Sequence, residues 1–124
     1  WYPHTGHAEE TGAGRGKNCV INSPLPAGSG MKEIGAAFMD RLIPAAQKFK
    51  PDLVMISAGF DSRKGDPLGH FQLTDPDFAV LTKWLMQFAE ETCGGRIVSV
   101  LEGGYNVAGL AAGVSTHLRA LMGD

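Results

Sequence analysis

The stretch LVMISAGFDSRKGDPLG, residues 53–69, decides the fold of this chain. It begins with a continuous apolar run, which is typical of a strand covered on both faces of a parallel sheet. It then passes into a loop, residues 58–69, that holds two aspartates, two basic residues and three glycines. A loop that only connected two elements would need fewer charges, so we expect chemistry where this strand ends.

Helices and strands alternate on both sides of this stretch. Before it, residues 19–22 predict a strand, and apolar residues spaced by three and four between positions 34 and 49 predict a helix that Pro44 kinks or divides. After it, Asp75-Pro76-Asp77 predicts a helix start with Asp75 as N-cap, and Gly94-Gly95 predicts the helix end. Residues 97–101 predict another strand, and Asn106 can cap a last helix. The order β-α-β-α-β-α predicts an α/β fold, a parallel sheet with helical crossovers, in a single domain over residues 1–124.

Composition limits the classes of function. The chain has 124 residues, of which 44% are hydrophobic and 19% charged, enough for one core. A net charge of -2 gives no basic field for nucleic acid, and no apolar run approaches the about 20 residues of a membrane-spanning helix. We therefore expect no direct nucleic-acid or membrane partner. Cys19 and Cys93 lack metal-type spacing and are typical of reduced thiols, which predicts a cytoplasmic protein.

Two loops follow predicted strands at the edge where ligands bind in open parallel sheets. The first contains Asp61, and the second is Glu102-Gly103-Gly104-Tyr105-Asn106. An acid at the end of a buried strand needs a metal, an arginine or several amides to offset its desolvation. The paired glycines let backbone approach a ligand, and the Tyr105 phenol can donate a hydrogen bond to developing negative charge. A carboxylate metal ligand opposite a phenol donor is a hydrolase-like arrangement; the alternative is that Asp61 caps a turn and Tyr105 packs.

Five motifs, in order from end to end of the chain, give it a specific resemblance. They are YPHTG (2–6), NSPLP (22–26), SAGFDS (57–62), GDPLG (65–69) and LEGGYN (101–106). On these motifs the chain resembles the C-terminal half of the zinc-dependent deacetylases, which comprise histone deacetylases, acetylpolyamine amidohydrolases and acetoin-utilisation proteins. It is most similar to the class II and bacterial branch. The resemblance implies part of a three-layer α/β/α fold of the arginase/deacetylase type.

The resemblance also implies roles at matching positions. Asp61 falls at an aspartate ligand of Zn²⁺, and Tyr105 at the phenol that stabilises the oxyanion. Gly103-Gly104 match backbone beside the acyl-lysine channel, and Tyr2 and Leu68 match its wall. The implied reaction is zinc-assisted hydrolysis of the acetyl amide of acetyl-lysine or another acetylated amine, with a histidine as general base.

The chain departs from the family pattern at the metal site. The family also needs an Asp-x-His pair and a His-His dyad, both upstream of the matched residues, and neither occurs in this sequence. Since catalytic zinc typically takes three protein ligands, we expect a fragment that lacks the upstream half of its domain and is inactive alone. His4 stands where family members usually have glycine. A sheet cut in this way exposes an apolar edge and face, which predicts a homo-oligomer.

Other interpretations stand beside the enzyme. The chain can also be read as an inactive remnant or a self-associating assembly module. A self-contained metal site of Asp61, Asp66 and His70 has suitable donors, but Asp66 before Pro67 is typical of a turn. The segment GAGRG (12–16) hints at a phosphate loop, yet it precedes a predicted strand where such a loop must follow one. We expect the remaining polar candidates to be solvated on loops or helix surfaces, namely His4, His7, Arg63, Lys64 and His117.

Overall fold

The computed structural model describes residues 4–124. Its helices are α1 (Met31–Ala36), α2 (Ile43–Phe49), α3 (Asp75–Cys93) and α4 (Val107–Leu121), with a π-helical segment, Ala37–Leu42, between α1 and α2. Its strands are β1 (Val54–Ala58) and β2 (Ile97–Leu101), and a short 3-10 turn covers Gly14–Gly16. From α1 onward the helices and strands alternate as the sequence predicts.

The two strands form a parallel pair joined by the helical crossover α3. Their register runs from Val54 opposite Ile97 to Ala58 opposite Leu101. Because a parallel connection must return to the starting edge of the sheet, both strands end on the same side. The predicted parallel α/β arrangement is confirmed, and it places the loops after Ala58 and Leu101 next to each other.

Phe60, directly after β1, lies at the centre of the core. It is 3% exposed and clusters with Ala58, Leu73 and Phe78, and its ring lies 5.0 Å from that of Phe78. A Cβ at Gly113 of α4 would lie 2.7 Å from the Phe60 ring, so only glycine lets the helix approach this closely. The core therefore anchors the first residues of the loop that carries Asp61.

The ends of α3 and α4 follow local sequence signals. Gly94 ends α3 with a φ of 61°, and the Asn106 side chain accepts a hydrogen bond from the Gly109 N–H at 3.0 Å, as predicted. The start of α3 needs a correction of one residue, because the N-cap is Thr74. Its N–H donates to the Asp77 carboxylate at 2.7 Å, while the Asp75 carboxylate binds Arg63 instead.

Pro44 divides the first helical run. It lies in the first turn of α2, and the preceding segment is wound as a π-helix in which the Ile43 N–H bonds to the Phe38 carbonyl, five residues earlier. Proline has no N–H to give to the carbonyl four residues before it, so the ordinary ladder is interrupted at this point. The predicted interruption of the helix is confirmed, and it takes the form of a π-helical segment between two α-helices.

Residues 19–22 are not a strand, which corrects the sequence prediction. Val20 donates its backbone N–H to the Thr11 carbonyl at 3.2 Å, within the segment before α1. Val20 and Ile21 are 42% and 40% exposed. A strand is defined by a ladder to a neighbour, and within residues 4–124 this segment has none.

One face of the sheet is open in this chain. By the strand register Met55, Val98 and Val100 share one face, and they are 68%, 45% and 49% exposed. We call these three side chains, with Ser57, the outer sheet face. The prediction that β1 is covered on both faces is therefore wrong for residues 4–124, because α3 and α4 both pack on the opposite face. None of the helices formed by these residues is long and apolar enough to cross a membrane.

Candidate active site at the ends of two parallel strands

The candidate site is built from two loops that continue the strand pairing. The first loop covers residues 59–74 after β1, and the second loop covers residues 102–106 after β2. The Glu102 N–H donates to the Ala58 carbonyl at 3.0 Å, and the Phe60 N–H donates to the Gly103 carbonyl at 2.7 Å. The two loops are thus held together at their bases.

Asp61 sits among three glycines. A Cβ at Gly103 would lie 2.6 Å from its carboxylate Oδ2, and a Cβ at Gly59 would lie 3.1 Å from its Oδ1. A Cβ at Gly69 would collide with the Asp61 backbone oxygen. We call Gly59, Gly69 and Gly103 the glycine cradle. Any side chain at these positions would have to displace Asp61, so the cradle provides the space that Asp61 occupies.

Asp61 also lines a cavity of about 400 Å³. The first loop contributes Ser62, Gly69, His70 and Phe71, and the rest of the wall comes from the segment 22–27 and from Thr5 and Gly6. No residue among 4–124 donates a hydrogen bond to the Asp61 carboxylate, which leaves its oxygens available to a ligand in the cavity. Tyr2, expected in the channel wall, lies outside the described residues.

A complete metal site does not form from the described residues. Within residues 4–124, no group of three His, Cys, Asp or Glu side chains comes together to hold a metal ion. The self-contained site of Asp61, Asp66 and His70 is therefore not present. Asp61 alone fits the role of one carboxylate ligand of a catalytic zinc, which needs about two further protein ligands.

Tyr105 and Leu68 are both accessible. Their exposures are 53% and 57%, and neither lines the cavity that contains Asp61. Gly104, the residue before Tyr105, has a φ of 141°, and a Cβ there would lie 2.7 Å from Leu110 of α4. This conformation is one that glycine adopts readily, so the turn before Tyr105 depends on Gly104.

The Asp66 carboxylate connects the two loops. Its Oδ1 accepts the N–H groups of Leu68 and Gly69, both at 2.9 Å. Its Oδ2 accepts the N–H groups of Tyr105 at 2.7 Å and Asn106 at 3.2 Å. Desolvation raises the pKa of Asp66, but these four donors outweigh it and hold the pKa below its ordinary value. The first pair is the turn that Asp-Pro predicts, and the second pair was not foreseen.

Arg63 is not a solvated charge, which corrects the sequence prediction. Its guanidinium binds Asp75 through two hydrogen bonds, Nε to Oδ1 at 2.6 Å and a second to Oδ2 at 2.9 Å. The hydrogen bonds from Arg63 lower the pKa of Asp75. The same side chain packs on Gly109, where a Cβ would lie 3.0 Å from the guanidinium. Arg63 thereby ties the first loop to the starts of α3 and α4.

The sequence prediction that His117 lies on a helix surface is also wrong. It is 7% exposed, and its Nδ1 lies 2.7 Å from the Thr82 hydroxyl while its Nε2 lies 2.9 Å from the Ser99 hydroxyl. Because Thr82 donates its proton to the Phe78 carbonyl, we assign the ring proton to Nδ1 and the acceptor role to Nε2. Burial lowers the pKa of His117, so the neutral ring joins α3, α4 and β2 beneath the second loop.

His4 and His7 are both exposed, and His4 has a φ of 65°. The left-handed backbone at position 4 is the kind that glycine adopts most easily, which explains why a glycine suits this place. No local signal marks Asp66 or Arg63 as contacts to distant residues. The one sequence clue to the buried position of His117 is that it lies on the same side of α4 as the apolar residues of this helix.

Comparison with known proteins gives consistent matches. Residues 1–121 match the family model of the histone deacetylase domain. The chain is 42% identical over 123 residues to histone deacetylase 14, chloroplastic, of Arabidopsis thaliana, covering 99% of this chain and 29% of that protein. It is 43% identical over 118 residues to human polyamine deacetylase HDAC10, covering 94% of this chain and 17% of that protein. The crystal structure of the HDA15 HD domain superposes with a TM-score of 0.91 at 37% identity, over 100% of this chain and 34% of that one.

Proposed function

This chain belongs to the histone deacetylase family, and from that membership we propose that it forms part of a zinc-dependent amidohydrolase. The substrate we propose is the acetyl amide of acetyl-lysine or of another acetylated amine, with acetate and a free amine as products. One observation carries the proposal: the unbonded Asp61 carboxylate, held by the glycine cradle at the wall of a cavity.

Asp61 is the zinc ligand that we propose from this chain. Asp61 is half-buried, its carboxylate receives no hydrogen bond from residues 4–124, and zinc accepts carboxylate oxygen as one of its three protein ligands. Zinc in such a site supplies a Lewis acid for the acetyl carbonyl and lowers the pKa of bound water. The cradle then serves to hold the ligand oxygen in one place.

Tyr105 is the oxyanion donor that we propose. Its phenol is accessible, its backbone belongs to the loop whose base is bonded to the Asp61 loop, and a hydroxyl donor aimed at a developing oxyanion lowers the barrier to acyl transfer. Gly103 and Gly104 let the Asp61 carboxylate and Leu110 of α4 approach the backbone closely, and the exposed Leu68 offers an apolar wall. These roles for Gly103, Gly104, Leu68 and Tyr2 are proposals from the family pattern.

We further propose that residues 1–124 are the C-terminal part of a larger deacetylase domain. The chain spans 29% of the Arabidopsis relative and 34% of the solved HDA15 chain. The remaining zinc ligands and the general-base histidine then come from residues outside this chain, and the chain alone does not turn over substrate. A cytoplasmic location, without nucleic-acid or membrane partners, stays a prediction supported by the free thiols Cys19 and Cys93 and by the near-neutral charge.

The test measures zinc and turnover in two preparations. One is the chain of 124 residues, and the other is the complete deacetylase domain that contains it. Each is prepared with Asp61→Ala and with Asp40→Ala, which removes an exposed carboxylate from the π-helical segment as a matched control. We expect zinc binding and acetyl-lysine hydrolysis only in the complete domain, with loss of both in Asp61→Ala. Full zinc occupancy in the Asp61→Ala domain contradicts the ligand assignment, and turnover by the isolated chain contradicts the fragment proposal.

A second candidate function is that of a self-associating assembly module. The outer sheet face favours it, because Met55, Val98 and Val100 form adjacent exposed apolar positions on paired strands. We propose that the isolated chain forms homo-oligomers through this face. Sedimentation of Val98→Lys should then give monomers where the wild type gives larger species, and a monomeric wild type at high concentration rejects the proposal.

A further inference from the structure

The bonding of Asp66 extends beyond its own turn. Two of its four partners, the N–H groups of Leu68 and Gly69, are those of an ordinary aspartate turn two and three residues long. The other two belong to Tyr105 and Asn106, 39 and 40 residues later in the sequence. A turn residue has no need of distant donors, so the second pair requires another explanation.

The second loop is fixed at one point by this carboxylate. Asn106 also donates its side-chain amide to the Gly65 carbonyl at 3.0 Å, and it accepts the N–H of Gly109 in α4 at 3.0 Å. The residue after Tyr105 is therefore bound to the first loop and to α4 together. By contrast, the Tyr105 phenol is exposed and receives no hydrogen bond from residues 4–124. The place of the phenol consequently depends on its backbone, and the backbone depends on Asp66.

We propose that Asp66 is a positioning residue for Tyr105: its carboxylate holds the Tyr105 and Asn106 amides so that the phenol is presented to the substrate beside the Asp61 loop. The inference rests on the proposed function, in which Tyr105 is the oxyanion donor. Asp66 acts on Tyr105 through its Oδ2, which holds the second loop, while its Oδ1 holds the Leu68 and Gly69 amides of the first loop. A charged acceptor suits this task, because hydrogen bonds to an ionised carboxylate are stronger than those to a neutral group.

The first part of the test needs no activity. Backbone amide hydrogen exchange is measured by NMR in the chain and in its Asp66→Ala, Asp66→Asn and Asp40→Asn variants. We expect Asp66→Ala to speed exchange at Tyr105 and Asn106 by about tenfold or more, while amides in α3 keep their protection. Asp66→Asn has one acceptor oxygen for two pairs of donors, so at least one pair loses protection. Exchange at Tyr105 and Asn106 within twofold of wild type in Asp66→Ala overturns the proposal.

The second part measures kcat and KM separately in the complete zinc-loaded domain. We expect Asp66→Ala to lower kcat by about 10- to 100-fold, because a small displacement of a catalytic group has an effect of this size, and to leave KM within about threefold. Asp40→Asn should change neither constant. In a Tyr105→Phe background, the Asp66→Ala change should lower kcat by less than twofold, since the phenol that it positions is already gone.

The outcomes separate the two proposals. If Tyr105→Phe is fully active, the proposed role of Tyr105 is wrong, and the positioning role of Asp66 is wrong with it. If Tyr105→Phe is impaired but Asp66→Ala lowers kcat equally in both backgrounds, the function stands and the positioning inference alone is overturned. A drop confined to the background that carries Tyr105 supports both.

Discussion

Replacing His117 with alanine should reduce the free energy of unfolding by about 3–4 kcal/mol. The ring is buried between three elements and makes two hydrogen bonds, at 2.7 Å to Thr82 and 2.9 Å to Ser99. Each bond contributes about 1 kcal/mol net, which gives about 2 kcal/mol. The ring also lies edge-on to Phe60 at a centroid distance of 5.9 Å, and the space left by its removal adds about 1–2 kcal/mol.

Urea denaturation followed by circular dichroism at pH 7.5 measures this change. With an m-value of about 1.5 kcal/mol/M, the midpoint should fall by about 2 M. Ser115→Ala, on the exposed side of the same helix, is the matched control and should stay within about 0.5 kcal/mol of wild type. A second variant, Thr82→Val, leaves the Nδ1 proton without its acceptor and should lose about 1–3 kcal/mol. A loss below 1 kcal/mol in His117→Ala would show that the ring is not an essential link between β2, α3 and α4.

Three further predictions concern pH, the glycine cradle and the Arg63 ion pair. Burial lowers the pKa of His117 below its ordinary 6.5, so the unfolded chain binds a proton first; stability is full above pH 6.5 and falls as the pH drops below it. Between pH 5 and 8, the urea midpoint of the wild type should fall with falling pH. In His117→Gln the part of this pH dependence that comes from His117 should be absent. Gly103→Ala places a Cβ 2.6 Å from the Asp61 carboxylate and should weaken zinc binding by the complete domain about 10- to 100-fold in a chelator competition, whereas Gly16→Ala, with open space around it, should not. Arg63→Met should lower stability by about 1 kcal/mol in thermal unfolding because both partners are partly exposed, with Lys64→Met as the neutral control; equal effects of the two would argue against the ion pair.

Local signals explain what the sequence predicts well. The apolar runs of β1 and β2, the glycines after α3 and the Asn106 cap each act through neighbouring residues, and the structure contains all of them. The predicted strand at residues 19–22 fails for the complementary reason. Its apolar residues satisfy the local pattern, but a strand also needs a partner, which no local pattern can supply.

The candidate site divides in the same way. Asp61 and the Gly103-Gly104 pair follow strands and can be found from strand ends alone. The second function of Asp66 joins residues 39 positions apart, and the bond from Thr82 to His117 spans 35 positions. Contacts between residues so far apart in the sequence depend on the register of β1 with β2 and on the path of α3. Neighbouring residues alone therefore predict only a turn residue at Asp66 and surface residues at Arg63 and His117.

The parallel pairing of β1 with β2 also has a consequence for synthesis in the cell. Among residues 4–124, Val54 gains its neighbour in the sheet only after Ile97 and the whole of α3 have been translated. At about 5–20 residues per second, this interval lasts several seconds. During that time the nascent chain carries an apolar strand with unsatisfied edges, a form prone to intermolecular association. Within residues 4–124, the interval between the appearance of β1 and that of β2 is therefore the one in which β1 is most open to such association.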